Sequence, residues 1–189
     1  MVVREAEIRA AALEQFARRG YEATTMADIG AAVGMRGPSL YKHVSSKQDL
    51  LASVIERTMT TLLREHEAAV SGVADPTERL RRAVDAHVRF HARHRREAFV
   101  GTRELRSLVE PRRSEILRLR ADYEQRFRSL IAEGAEAGAF RVTDPRLASF
   151  AVLDLGMGVA VWFREDSGPS ENEVAWQQVE FALRLVGAA

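Results

Sequence analysis

The 189-residue sequence contains no cysteine and no uninterrupted apolar run of the roughly 18 residues that cross a bilayer. The first absence excludes a disulfide framework and a thiolate metal site. The second predicts no membrane span, and the charged residues from Arg4 onward predict no secretory signal at the N-terminus. Together these absences lead us to expect a cytoplasmic protein.

Motifs of the common enzyme classes are absent as well. The chain has no glycine-rich phosphate loop, no G-x-S-x-G nucleophile elbow and no H-E-x-x-H metal motif. We therefore expect no enzymatic activity, no catalytic residues, no cofactor and no resident metal.

Alternation of polar and apolar residues, the pattern of a half-buried β-strand, does not occur over any useful length. Apolar residues recur instead at helical spacing, as in Ile8, Ala12 and Phe16. Glycines and prolines divide such segments into about nine helices, at residues 3–19, 25–34, 38–44, 47–70, 76–94, 97–109, 111–136, 145–164 and 170–186. The predicted fold class is all-α.

Residues 24–48 have the pattern of a helix-turn-helix. Thr25 and Asp28 have the spacing of a reciprocal helix N-cap. Gly34 suits the left-handed end of that helix, and Pro38 suits the first turn of a second, short helix. No acidic residue occurs from residue 29 to residue 48, and this local absence of negative charge favours contact with the DNA phosphates.

These residues resemble the TetR family of transcriptional regulators. The matching segments are Phe16-Ala17-x-x-Gly20-Tyr21, Thr24-Thr25-x-x-x-Ile29-Gly30-x-x-x-Gly34 and Ser39-Leu40-Tyr41-x-His43-Val44-x-x-Lys47-x-x-Leu50. The resemblance implies a three-helix head at residues 1–46 that binds DNA. A long helix would join it to a body at residues 47–189 that binds a ligand and dimerises.

The head is expected to bind a palindromic double-stranded operator. Tyr41, Lys42 and Lys47 are the predicted phosphate contacts, and the start of a long helix adds outward-pointing amides at Lys47. Arg36, Ser39 and His43 are predicted to reach base edges. The full set of predicted DNA-binding residues is Thr24, Thr25, Arg36, Gly37, Pro38, Ser39, Tyr41, Lys42, His43 and Lys47.

In the body, His87, His91 and His94 fall on one face of a predicted helix at i, i+4 and i+7. Three interpretations are open: a metal site, the polar lining of a ligand cavity, or packing. Aromatic side chains on several helices favour a cavity, although the same residues also suit a core. The predicted ligand-binding residues are His87, His91, Phe99, Arg103, Tyr123, Phe127, Met157 and Trp162.

The segment from Asp154 to Trp162 combines glycines with bulky apolar residues on one predicted helix. Such a helix suits a homodimer interface, since proteins that read two DNA half-sites generally dimerise. Packing within one chain is the alternative. The predicted interface residues are Val152, Leu155, Gly156, Val159, Val174, Phe181 and Leu185.

The body also resembles family members that respond to acyl-CoA thioesters. The matching segments are Arg103-Glu104-Leu105-x-x-Leu108-x-x-Pro111, Glu133-Gly134-x-x-x-Gly138-x-Phe140-x-x-x-Asp144-Pro145 and Trp162-Phe163-Arg164 with Gly168-Pro169-Ser170. We therefore expect a repressor that a hydrophobic effector, an acyl-CoA or a lipid-like acid, releases from its operator. The alternatives are a repressor of the multidrug-responsive type and a ligand-independent DNA-binding dimer.

Overall fold

The computed structural model describes residues 2–188, with only the backbone at residues 2, 3 and 37. Within that range the chain forms nine α-helices and one short 3-10 helix, and no strand. The α-helices are α1 (Val2–Arg19), α2 (Met26–Ala32), α3 (Gly37–Leu40), α4 (Lys47–Val70), α5 (Pro76–Arg93), α6 (Arg95–Arg103), α7 (Arg112–Glu136), α8 (Pro145–Trp162) and α9 (Glu171–Leu185). The predicted all-α fold is confirmed.

The chain divides into two compact units. The head unit comprises Met1–Met59 and Arg96–Leu119, and the body unit comprises Thr60–Arg95 and Arg120–Ala189. α4 and α7 each contribute one part to either unit. The boundary between residues 46 and 47 therefore remains a prediction about function and does not coincide with the division of the packed units.

In the head unit, the sequence signals at both ends of α2 act as expected. The Thr25 hydroxyl accepts a hydrogen bond from the Asp28 amide at 3.1 Å, and the Asp28 carboxylate accepts one from the Thr25 amide at 2.9 Å. Gly34 has a φ of +67°, a left-handed conformation that glycine adopts without steric cost. Phe16, Ile29 and Leu40 are fully buried, and α2 contacts both α1 and α3, so these three helices share one core.

The predicted helix at residues 97–109 is wrong in its second half. α6 ends at Arg103, and a 3-10 helix follows at Glu104–Ser107. The Gln48 side chain donates a hydrogen bond to the Ser107 carbonyl at 2.7 Å and accepts one from the Val109 amide at 3.2 Å. These side-chain bonds satisfy backbone groups that an α-helix would have paired.

The body unit is built around α5, which packs closely on α8 and α9. Each of these helices begins at a side-chain cap: Asp75 for α5, Asp144 for α8 and Ser170 for α9. An N-cap of this kind satisfies backbone donors that the first helical turn leaves free. The predicted helices at residues 76–94, 145–164 and 170–186 are thus confirmed to within two residues.

α8 is apolar around most of its circumference. By length and composition alone it is the one helix among residues 2–188 that could cross a membrane, a property that core helices of soluble proteins share. Only a third of it is buried. Its exposed apolar residues include Leu147, Phe150, Val161 and Trp162, so this helix presents a large apolar face outside the core.

Candidate DNA-binding surface and effector site

The second helix of the helix-turn-helix is anchored by Leu40, which is fully buried. α3 begins at Gly37, of which only the backbone lies among the described residues. The residues around Leu40 point outward: Arg36, Pro38, Ser39, Tyr41 and Lys42 are all exposed, Tyr41 by 55%. This arrangement exposes a guanidinium, an ammonium and two hydroxyl groups on a segment that has no acidic residue from position 29 to position 48, which suits the phosphates and base edges of a duplex.

Lys47, one of the predicted phosphate contacts, is half-buried. Its ammonium group donates hydrogen bonds to the carbonyls of Tyr21 and Thr24, both at 2.9 Å, and lies 4.1 Å from the centre of the Tyr21 ring. Two of its three donors are thus used inside the head. Lys47 fixes the turn between α1 and α2, and the sequence could not show that these carbonyls would converge on it.

The prediction for Thr24 is wrong. Its side chain is fully buried and donates a hydrogen bond to the Gly20 carbonyl at 2.8 Å, so it cannot reach a phosphate. Thr25 lies at the surface, but its hydroxyl caps α2. His43 is half-buried, and its Nδ1 atom is buried without a hydrogen-bond partner among the described residues.

The body unit contains a buried cluster of rings contributed by α4, α5 and α7. We call it the ring cluster: His66, His87, His91, Tyr123 and Phe127. The His87 Nδ1 atom lies 2.8 Å from the Tyr123 hydroxyl, and its Nε2 atom lies 3.0 Å from the Leu153 carbonyl. The ring centres of His87 and His91 are 4.3 Å apart, and those of His87 and Phe127 are 5.6 Å apart.

Burial keeps the histidines of this cluster neutral at physiological pH. Desolvation lowers the pKa of His66 to about 4 and that of His91 to about 4. Desolvation also lowers the pKa of His87 far below its usual value, and the neighbouring His91 lowers it further. Burial raises the pKa of Tyr123. The cluster therefore offers neutral hydrogen-bonding groups among apolar rings, the lining expected of an effector site.

His66 belongs to this cluster although it is not among the predicted ligand-binding residues. Its ring centre lies 5.0 Å from that of Phe127, and its buried Nδ1 atom has no hydrogen-bond partner among the described residues. A signal was present in the sequence, because His66 follows Met59 and Leu62 on the apolar stripe of α4. A histidine on such a stripe points into the core.

The predicted ligand-binding set does not come together as one site. His87, His91, Tyr123 and Phe127 are in the ring cluster, whereas Phe99 and Arg103 lie in the head unit, where the guanidinium stacks 5.1 Å from the exposed ring. Met157 is half-buried and Trp162 is exposed. The metal interpretation is also disfavoured, since both ring nitrogens of His87 have partners and residues 2–188 contain no cluster of metal-ligating side chains.

A surface groove of about 530 Å³ lies elsewhere on the body unit, between α4, α5 and α9. Its lining includes Arg81, Arg82, Arg89 and Trp176, and none of the predicted ligand-binding residues. The arginines are already paired, for example Arg82 with Glu78 at 2.7 Å and Arg81 with Glu180 at 3.0 Å. Because no residue of the ring cluster lines it, the groove is a separate site.

Four of the predicted interface residues are wrong, because they face the core of their own chain. Val152, Val159 and Val174 are buried. Gly156 packs against His87 so closely that an added Cβ atom would lie 2.1 Å from the imidazole Cδ2. Leu155 is half-buried, while Phe181 and Leu185 are exposed and remain available. The sequence could not separate the two faces of α8, since both are apolar.

Comparison with known proteins identifies two segments of the chain. Residues 8–54 match the family described as "Bacterial regulatory proteins, tetR family", and residues 73–186 match "Tetracyclin repressor-like, C-terminal domain". A crystal structure of a tetR-family regulatory protein from Rhodococcus RHA1 is 36% identical, with a TM-score of 0.92 over 98% of this chain and 97% of that one.

Two other relatives extend this similarity. The structure of the TetR-family regulator PfmR from Thermus thermophilus is 33% identical, with a TM-score of 0.85 over 94% of this chain and 97% of that one. The transcriptional repressor KstR2 of Mycobacterium tuberculosis is 26% identical over 182 residues, 95% of this chain and 91% of its own length. Its structure, described as that of a ketosteroid transcriptional regulator, has a TM-score of 0.87 over 96% of this chain and 93% of its own. The chain belongs to the TetR family of bacterial DNA-binding transcriptional regulators, which are not enzymes.

Proposed function

We propose that the protein is a cytoplasmic repressor that binds a palindromic operator as a homodimer and leaves it when a hydrophobic effector binds the body unit. The observation that carries this proposal is the exposure of the side chains around α3, on a segment of the sequence without acidic residues. The family supports operator binding, and the repressor KstR2, named for ketosteroid regulation, supports a lipid-like effector. Within this class we favour an acyl-CoA or a lipid-like acid.

On the operator, Lys42 and Tyr41 are the proposed phosphate contacts, since both are exposed next to the anchoring Leu40. Arg36, Ser39 and the accessible side of His43 are the proposed readers of base edges. The effector can weaken DNA binding only as far as it binds the DNA-free conformation more tightly than the DNA-bound one.

Replacing Lys42 with alanine is expected to weaken binding to operator and random duplexes alike, because a phosphate contact carries no sequence information. The salt dependence should become shallower by roughly one counterion per subunit. Fluorescence anisotropy titrations at several salt concentrations measure both quantities.

Arg118→Ala is the control for this experiment, since Arg118 is an exposed cation of the head unit that lies on α7, outside the helix-turn-helix. It removes the same charge and should leave the salt slope unchanged. A Lys42 variant that loses only its preference for the operator, with an unchanged salt slope, would show that Lys42 does not contact phosphate.

We propose that the homodimer forms through the exposed apolar faces of α8 and α9. These faces carry Leu147, Phe150, Val161, Trp162, Phe181 and Leu185. Exposed large apolar side chains on two helices that pack together are typical of a protein–protein interface. Trp176 lies on another side of α9, about 140° around the helix from Phe181, where it lines the groove beside α5.

Phe181→Glu is therefore expected to convert the dimer to monomers, because each copy would bury a carboxylate without a counterion. Trp176→Glu is the matched control: the residue is 61% exposed, against 42% for Phe181, and should tolerate the charge in a dimer. Light scattering at micromolar concentration distinguishes the two states. A wild-type protein that is already monomeric under these conditions contradicts the proposed assembly.

The alternatives remain distinguishable by ligand chemistry. Release from the operator by neutral planar drugs alone would favour the multidrug-responsive type. Unchanged operator binding with every compound would favour the ligand-independent dimer.

A further inference from the structure

Arg120 occupies an unusual position on α7. It lies one turn before Tyr123 and two turns before Phe127, so the three side chains share one face of the helix. The Tyr123 hydroxyl bonds to His87 on α5 at 2.8 Å. This contact directs the shared face toward α5.

The charge of Arg120 is neither fully solvated nor paired. The side chain is half-buried, and burial lowers the pKa of its guanidinium. Among the described residues no carboxylate forms an ion pair with it and no group accepts a hydrogen bond from it. Desolvation is the main cause of the lowered pKa of His91, and the positive charge of Arg120 adds to it.

Other arginines of the body unit form ion pairs with carboxylates. Arg126, two turns further along α7, pairs with Glu67 at 2.6 Å, and Arg128 pairs with Glu124. On α5, Arg89 pairs with Asp85 at 2.8 Å and with Glu171 at 3.0 Å. Removing a cation from water lowers the stability of the fold. An ion pair offsets this desolvation penalty, and a cation without a counterion leaves it in full.

We propose that Arg120 binds an anionic oxygen group of the effector, at the edge of the ring cluster. A guanidinium binds carboxylate or phosphate oxygens through two parallel hydrogen bonds. The neutral His91 donates its one N–H, at Nδ1, to the His87 carbonyl at 2.8 Å, so its Nε2 atom can only accept a hydrogen bond and the guanidinium alone holds the anion. The apolar part of the ligand then extends toward His87, Tyr123 and Phe127, whose rings must separate to admit it.

This inference rests on the proposed function, in which the body unit binds an effector, and it defines one chemical requirement of that effector. A carboxylate of a free acid and a phosphate of a CoA thioester could both supply the anionic oxygens. A neutral molecule of the same length could not, because it would leave the guanidinium without a counterion.

The test uses thermal unfolding of the full chain and titration with four probes: decanoate, decanoyl-CoA, CoA alone and decanol. Arg120→Met removes the charge and keeps a flexible apolar side chain, and Arg118→Met makes the same change at an exposed position of the same helix. Without any probe, Arg120→Met is expected to raise Tm by about 2–4 °C, since it removes the uncompensated charge. Arg118→Met should leave Tm unchanged.

With probes, wild type is expected to bind decanoate or decanoyl-CoA, and Arg120→Met to bind the same probe about tenfold to hundredfold more weakly. Arg120→Lys keeps the charge and should recover part of the affinity. Binding of decanoate identifies a carboxylate as the anionic group. Binding of decanoyl-CoA and of CoA alone, without decanoate, identifies a phosphate.

Equal affinities of wild type and Arg120→Met for the anionic probes would overturn the inference. A lower Tm for the unliganded Arg120→Met variant than for wild type would also overturn it. The same holds if wild type binds decanol and no anionic probe, or if it binds none of the four probes. Operator release is measured separately. An anion that binds through Arg120 but does not release the protein from the operator would contradict the proposed regulation. The assignment of Arg120 as an anion-binding residue would still hold.

Discussion

Replacing Gly156 with alanine is expected to lower the free energy of unfolding by about 2–5 kcal/mol. The added Cβ atom would lie 2.1 Å from Cδ2 and 2.5 Å from Nε2 of His87. The imidazole must therefore move, and its contacts with the Tyr123 hydroxyl and the Leu153 carbonyl must break. Overpacking and the loss of buried hydrogen bonds act together, so this is the largest single-residue effect that we expect.

Gly158→Ala is the control, because it makes the same chemical change two residues further along α8. An added Cβ atom there meets nothing within 4 Å, and alanine stabilises a helix interior by up to about 1 kcal/mol relative to glycine. Urea unfolding followed by circular dichroism compares the two variants with wild type. Equal stabilities for Gly156→Ala and Gly158→Ala would show that α8 does not pack on His87 as described.

Acidification from pH 7 to pH 4.5 is expected to destabilise the body unit by roughly 2–3 kcal/mol for each of His66 and His91. Both have an ordinary pKa near 6.5 when unfolded and a pKa of about 4 when buried in the fold. Between these values the unfolded chain binds more protons than the folded chain. The contribution is therefore fully present above pH 6.5 and is lost as the pH falls toward 4.

His87 should add to this loss, since burial also lowers its pKa. His66→Gln removes one titrating ring and keeps a polar side chain, so the variant should lose less stability than wild type between pH 7 and pH 4.5. Unfolding free energies at several pH values measure this difference. A wild type with the same stability at pH 7 and pH 4.5 would contradict the burial of these histidines.

Elements with local chemical signals were predictable from the sequence. The reciprocal cap of Thr25 and Asp28 defined the start of α2, and the prediction that the long helix begins at Lys47 and reaches Val70 is confirmed. These boundaries depend on residues within one or two turns of each other, so a single sequence contains the information that determines them.

The partner of each side chain was harder to predict, because it depends on which elements meet. Lys47 had the charge of a phosphate contact, but the fold brings two carbonyls of the α1–α2 turn to its ammonium group. Gly156 was expected to meet a second copy of the chain and instead meets His87. Arg120 was one arginine among many on a charged helix, and only the tertiary structure shows that no described carboxylate pairs with it.

The direct test of effector control is operator release by the wild-type protein. A duplex selected from genomic fragments is labelled, and its dissociation constant is measured alone and with fatty acids, acyl-CoAs and neutral drugs at fixed salt. We expect a palindromic duplex to bind one dimer, and its dissociation constant to rise at least about tenfold with an acidic, lipid-like compound. A dissociation constant that no compound changes, or the failure to select any specific duplex, would contradict the proposed effector-released repressor.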